Sequence, residues 1–185
     1  VVIGQGGVET MAIGPSRSIV LQRVSRFLPV IERLTSNQEE RRLLVGLIAQ
    51  ESGGNPYAIR PEPGFWKRYG SNVLKAVAAS ISTRDDHWVQ YPDIASCSYG
   101  LCQVMYSTAL EVGVTLYYPT ELCDPNVGID AGLRVLRRGM DADGRRGEFR
   151  KTLLRYNGGG DPEYPDRVLS WCADWDTFKT PVAQA

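Results

Sequence analysis

The segment SNQEERRLLVGLIAQESGG, residues 36–54, decides the fold class. Ser36 followed by Glu39 forms a capping-box pattern at a helix start. Leu44, Leu47, Ile48 and Glu51 then recur at the three- and four-residue spacing that lines up one helix face, and Gly53-Gly54 predicts the stop. The stripe is apolar until its last member, which is a glutamate. A carboxyl on a buried face near a helix C-terminus loses water and meets the negative end of the helix dipole, and both effects favour its protonated form. Such an acid can hand its proton to a departing glycosidic oxygen and, as carboxylate, take one back. On this pattern alone, a glutamate at a helix end is more often solvated or paired.

Outward from this helix the same period continues. Val20, Val24, Phe27, Ile31 and Leu34 predict a packing helix over residues 18–34 that Pro29 kinks or splits. Downstream, Pro56, Pro61, Pro63 and Gly64 break the chain into an elaborated connection, with a short helix expected at 71–80. Another helix is expected at 107–112. Asp124-Pro125 gives an N-cap and a proline at the first helical position, opening a helix with Ile129, Leu133, Leu136 and Met140 on one face. Phe149, Leu153 and Tyr156 share the face of a further helix that stops at Gly158-Gly159-Gly160. Asp161-Pro162 is read as the start of the last helix, which holds Val168, Leu169 and Trp171. No strand-period alternation is long enough for a large sheet, so the fold class is mainly α, α+β at most.

A length of 185 residues fits one compact domain with a core and a cleft. Its limits are placed at 18–176, after a flexible N-terminal segment (1–17) and before a C-terminal tail (177–185). The 21 basic and 21 acidic residues cancel, so no overall field draws the chain to nucleic acid or an anionic membrane. Charged or amide residues interrupt every apolar run short of the roughly 20 residues that a membrane span needs. The first residues lack the basic-then-apolar order of a signal peptide. The start at Val1 suggests a piece of a larger protein or assembly, with Met11 another possible natural start. Cys97, Cys102, Cys123 and Cys172 permit two disulfides in an oxidising compartment, in any of about three connectivities, or four buried free thiols. A structural zinc site is disfavoured, and neither metal nor cofactor is called for.

Four segments together carry a resemblance. Glu51-Ser52-Gly53-Gly54-Asn55-Pro56 resembles the first motif of the lytic transglycosylases (SLT domain) and goose-type lysozymes. Ser98-Tyr99-Gly100-Leu101-Cys102-Gln103-Val104-Met105 resembles their Gly-Leu-Met-Gln-(Ile/Val)-Met stretch. Asp124-Pro125-Asn126-Val127-Gly128-Ile129 resembles the Asp-Pro-x-x-Asn-Ile helix opening, and Tyr156-Asn157-Gly158-Gly159 the Tyr-Asn-Ala-Gly turn. The resemblance implies a lysozyme-like, mainly helical fold with a long groove for peptidoglycan glycan strands. It implies cleavage between N-acetylmuramic acid and N-acetylglucosamine, with Glu51 as acid and then base and a 1,6-anhydro ring as product. It also implies that Tyr156 hydrogen-bonds near Glu51 and that Gln103 and Met105 line the adjoining subsite. Its settings are the bacterial cell envelope, periplasmic or extracellular, or a phage virion.

By residue type, Ser98, Gln103 and Asn157 suit acetamido and hydroxyl groups, and Tyr99, Tyr106 and Tyr164 offer rings to stack on pyranose faces. Gly100 and Gly158 permit close main-chain approach to a sugar. Two positions depart from the family: Cys102 stands where Met is frequent, and Arg60 where many members carry a substrate-contacting Ser. The long interval from Glu51 to Ser98 predicts an insertion walling the groove; Arg60, Lys67 and Arg68 on it read first as solvated surface charges and second as contacts for peptide-stem carboxylates.

Three further functions stay open at the level of sequence. A hydrolase that inverts needs a second carboxylate for water, with Glu62, Asp85, Asp86 and Asp93 as candidates. A cysteine peptidase would use Cys97 or Cys102 with His87. A non-catalytic module would bind glycan without cutting it.

Overall fold

A computed structural model describes residues 15–71, 92–142 and 148–179. In chain order the elements are α1 (Pro15–Ser25), α2 (Leu28–Leu34), α3 (Gln38–Ser52), β1 (Ile59–Pro61), α4 (helical at 65–71), α5 (Pro92–Ala95), β2 (Cys97–Tyr99), β3 (Val104–Met105), α6 (Tyr106–Glu111), a 3-10 turn (Pro119–Cys123), α7 (Pro125–Ala142), α8 (Phe149–Tyr156) and α9 (Tyr164–Phe178). The architecture is mainly helical with one small sheet. No helix among the described residues is long and apolar enough to cross a membrane.

The split at Pro29 is present. The run expected over 18–34 divides into α1 and α2, and Pro29 occupies the first turn of α2, where its missing N–H leaves no hydrogen bond unmade. The cap of α3 lies one residue later than the sequence pattern placed it. The Asn37 side chain, not Ser36, accepts from the backbone N–H of Glu39 at 2.9 Å and of Glu40 at 3.3 Å. The last helix also starts later, at Tyr164 with Pro165 in its first turn, rather than at Asp161-Pro162. Asp161 instead closes a local turn by accepting from Glu163 N at 3.0 Å. At the two ends of the described residues, α1 begins at Pro15 and α9 runs to Phe178. Of the helix expected at 71–80, all but Ser71 lies outside the described residues.

The core is built around α3. Its Leu43, Leu44, Leu47 and Ile48 are fully buried, as are Leu21, Val24 and Ile31 of the preceding helices. α9 packs along α3 at Gly46, where an added Cβ would lie 2.5 Å from Cys172 Sγ and 2.8 Å from the Val168 carbonyl oxygen. Only a residue without a side chain allows that approach. α7 buries Ile129, Leu133 and Leu136 against the same core, with Met140 partly covered. It is tied to α3 by Arg137, whose Nε and Nη2 donate to the two Glu40 carboxylate oxygens at 2.9 and 2.8 Å. The Thr35 hydroxyl donates to the same carboxylate.

The sheet has the order β1-β2-β3 and is antiparallel throughout, with Arg60 opposite Ser98 and Ser98 opposite Met105. Pairing continues just beyond β1, where Glu62 N donates to the Ser96 carbonyl at 2.8 Å. After β2 the chain turns at Gly100, whose φ of +72° suits glycine, and an added Cβ there would sit 2.0 Å from the Leu122 carbonyl oxygen.

Candidate functional site

The C-terminal end of α3, the sheet, α4 and the end of α8 enclose a groove of about 510 Å³. Its lining includes Glu51, Arg60, Glu62, Ser98, Gln103 and Met105, together with Tyr156, Asn157 and Gly158. Glu51 reaches this position because the apolar stripe of α3 is buried along its length and the helix ends one residue later. Gly53, in the left-handed conformation, then caps α3 and donates back to the Ala49 carbonyl. The Ser52 hydroxyl lies 2.9 Å from the Leu101 carbonyl oxygen and fixes the helix end to the turn between β2 and β3.

The Glu51 side chain is 7% exposed. Burial raises its pKa above the ordinary glutamate value. The Tyr164 hydroxyl and the Arg60 cation pull the other way, and Glu62 adds to the rise. Tyr164 donates its hydroxyl proton to Oε1 of Glu51. Arg60 Nη2 stands 3.5 Å from Oε2, and its Nε donates to Glu62 at 2.9 Å. Glu51 is therefore a desolvated carboxyl with one fixed donor, one cation at the edge of contact and an opening onto the groove.

Gln103 has an architectural role. Its amide nitrogen donates to the Ala58 and Gly100 carbonyls at 3.0 and 2.9 Å, and its side-chain oxygen faces the Ser98 hydroxyl at 2.9 Å. The residue adopts φ +48°, the one positive value among described non-glycine residues. The Ser98 hydroxyl also lies 3.3 Å from Glu62, so its single proton is shared among neighbours inside the sheet.

Several sequence assignments are changed by these positions. Tyr99, Tyr106 and Tyr164 are 3%, 1% and 3% exposed, and no sugar can stack on them. Their hydroxyls are spent internally, Tyr99 on the Ile94 carbonyl, Tyr106 on the Leu116 carbonyl and Tyr164 on Glu51. Tyr156 lines the groove and donates its hydroxyl to the Cys102 carbonyl at 2.8 Å, close to Glu51, whose direct hydroxyl donor is Tyr164. Gly100 packs beneath the sheet and is not part of the groove lining, whereas Gly158 is.

Of the four candidate second carboxylates, Glu62 lines the groove and Asp93 does not; Asp85 and Asp86 lie outside the described residues. Arg60 and Arg68 face the groove and Lys67 does not. Phe65 and Tyr69, ring centroids 5.1 Å apart, line it as well, and sequence reasoning missed them. Their spacing of four residues on a helix was the available signal.

All four cysteines are free thiols, and Cys97, Cys102 and Cys172 are buried. Burial drives the Cys102 thiol far above its ordinary pKa, which removes it as a nucleophile. The base that a cysteine peptidase would need, His87, lies outside the described residues.

A family model described as Transglycosylase SLT domain matches residues 29–164. That interval runs from α2 to the first residue of α9 and contains every groove residue named above. No match was found among curated proteins or among solved structures.

Proposed function

We propose, since the chain belongs to the transglycosylase SLT domain family, that it cleaves the β-1,4 bond between N-acetylmuramic acid and N-acetylglucosamine in peptidoglycan, with Glu51 as both acid and base. In this reading the protonated Glu51 gives its proton to the bridging oxygen as the bond from C1 breaks, leaving an oxocarbenium-like centre. The resulting carboxylate takes the proton of the sugar's own 6-hydroxyl, and O6 closes on C1 to form the 1,6-anhydro end. Both protons pass through one carboxyl, and no second protein nucleophile takes part.

The observation that carries the reading is the state of Glu51. Burial raises its pKa, Tyr164 donates a hydrogen bond to it, and it lines an open groove of about 510 Å³. A module that only bound glycan would gain nothing from a buried proton donor.

Hydrolysis is the second reading, and the position of Glu62 in the same groove favours it over a cysteine peptidase or a glycan-binding module. Against it, Glu62 is engaged by Arg60 at 2.9 Å and by the Ser98 hydroxyl, so it is already committed to protein partners. Mass analysis of fragments released from purified peptidoglycan separates the two. Fragments lighter by one water, absent with Glu51→Gln, are the expected result. Fully hydrated reducing ends would make the protein a hydrolase, with Glu62 the first carboxylate to substitute, and no release of fragments would leave a binding module.

A further inference from the structure

Arg60 stands between two carboxylates, 2.9 Å from Glu62 and 3.5 Å from Glu51, on a strand whose register with β2 fixes its backbone opposite Ser98. We propose that Arg60 and Glu62 act as a positioning pair that sets the pH range over which Glu51 carries its proton. This role rests on the reading of Glu51 as the acid, and extends it to residues that need not touch the bond being broken.

Two opposite charges compete for influence on Glu51. A cation within about 4–6 Å of a carboxyl favours its ionised form, and a second carboxylate disfavours it. The guanidinium presents Nε to Glu62 and Nη2 to Glu51, so one rigid fork serves both acids. The shorter contact is with Glu62, which anchors the cation and leaves Glu51 the longer one. Glu51 is thus held near a positive charge without being locked into a tight ion pair that would strip it of its proton at every working pH. Arg60 is 56% exposed on its side chain, so its influence is partly screened.

Among the described residues, Arg60 is the cation paired with Glu51. From α9, Tyr164 donates a neutral hydroxyl. From the turn after β2 and from α8, Cys102 and Tyr156 are buried groups that burial keeps protonated. Arg68 of α4, Arg138 of α7 and Arg155 of α8 line the same groove; Arg138 is paired with Glu111 at 3.1 Å, and Arg155 donates to the Gly139 carbonyl.

The pair has a signature that a structural role lacks, because removing its two members moves Glu51 in opposite directions. Arg60→Ser takes away the cation and leaves the like charge of Glu62, so the titration midpoint of Glu51 rises. Glu62→Gln removes the like charge and frees Arg60 for Glu51, so the midpoint falls. The double variant returns it toward the starting value, and Arg60→Lys, which keeps the charge, stays below Arg60→Ser.

The measurement is a titration of the side-chain carboxyl carbons in the 13C-glutamate-labelled whole protein, with Glu51→Gln assigning the signal. The upper limb of the cleavage-rate profile against pH is recorded alongside. Opposite displacements that shrink as salt is raised are expected. Displacements of the same sign, or none, would overturn the proposal, with circular dichroism showing that each variant is folded. The carbon titration is independent of turnover: opposite displacements in a protein that cuts no glycan would refute the catalytic reading and leave the pair standing.

Discussion

Glu51 must be neutral to act as an acid, and the burial that favours neutrality makes its ionised form a cost to the fold. Its native pKa lies above the ordinary value of 4.5. Its contribution to stability is therefore complete below about pH 4.5 and is lost as pH rises through the native value. Glu51→Gln cannot ionise and escapes that loss. Thermal unfolding should show equal midpoints for the two proteins near pH 4 and a higher midpoint for the variant near pH 8. Parallel curves across this range would mean that Glu51 is not desolvated. The sequence announced this residue because the signal is local: an apolar stripe on α3 with a carboxyl as its last member. Tyr164 gave no such signal. It lies 113 residues further along the chain, and a tyrosine destined for a core hydroxyl contact has the same letter as one that stacks on a sugar.

Helix existence was legible here wherever the period was long, as on α3 and α7, and the ends were legible only in type. Thr35, Ser36 and Asn37 are three successive residues fit to cap a helix. The choice falls on Asn37 because the Thr35 hydroxyl is given to Glu40 and only the Asn37 side chain meets the first N–H groups. Likewise Pro162 and Pro165 each fit a first turn, and the chain uses the second. The join between helices was invisible in the sequence, since Glu40 and Arg137 are far apart and neither carries a periodic signal. It is nevertheless a sizeable element-level interaction. The Glu40 side chain is 11% exposed and accepts two bonds from one guanidinium. Arg137→Ala, which removes the guanidinium and leaves the Thr35 hydroxyl on that carboxylate, should cost about 2 kcal/mol in urea unfolding, less than a fully buried pair because Arg137 is itself half exposed. Arg137→Lys should recover only part of this, having no planar fork.

At the scale of the whole molecule, zero net charge conceals a groove lined by four arginines, Arg60, Arg68, Arg138 and Arg155, against Glu51 and Glu62. Composition averages over the chain and cannot report where charge gathers. The same holds for the cysteines, whose even number allowed either bridges or thiols and which the fold uses as small apolar groups. Cys172 fills the space at Gly46 and is pushed up to about 11 by burial. The unfolding midpoint should therefore be the same with and without a reducing agent. In the native protein a thiol reagent should label half-buried Cys123 first and leave Cys102 and Cys172 until unfolding, with glycan cleavage retained after the first label. Loss of cleavage on that label would revive a thiol role.

The hydrogen bond from Glu62 to Ser96 has a consequence for how such a groove diversifies. The chain leaves the sheet at Glu62 and re-enters it at Ser96 with those two residues bonded at 2.8 Å. A detour whose departure and return are clasped side by side can be lengthened, shortened or exchanged at a closure cost that grows only logarithmically. The strands and Glu51 keep their places while it does so. Glu51 and the inserted segment are in this sense separately heritable: one is fixed by the core, the other is attached where Glu62 and Ser96 meet in the sheet.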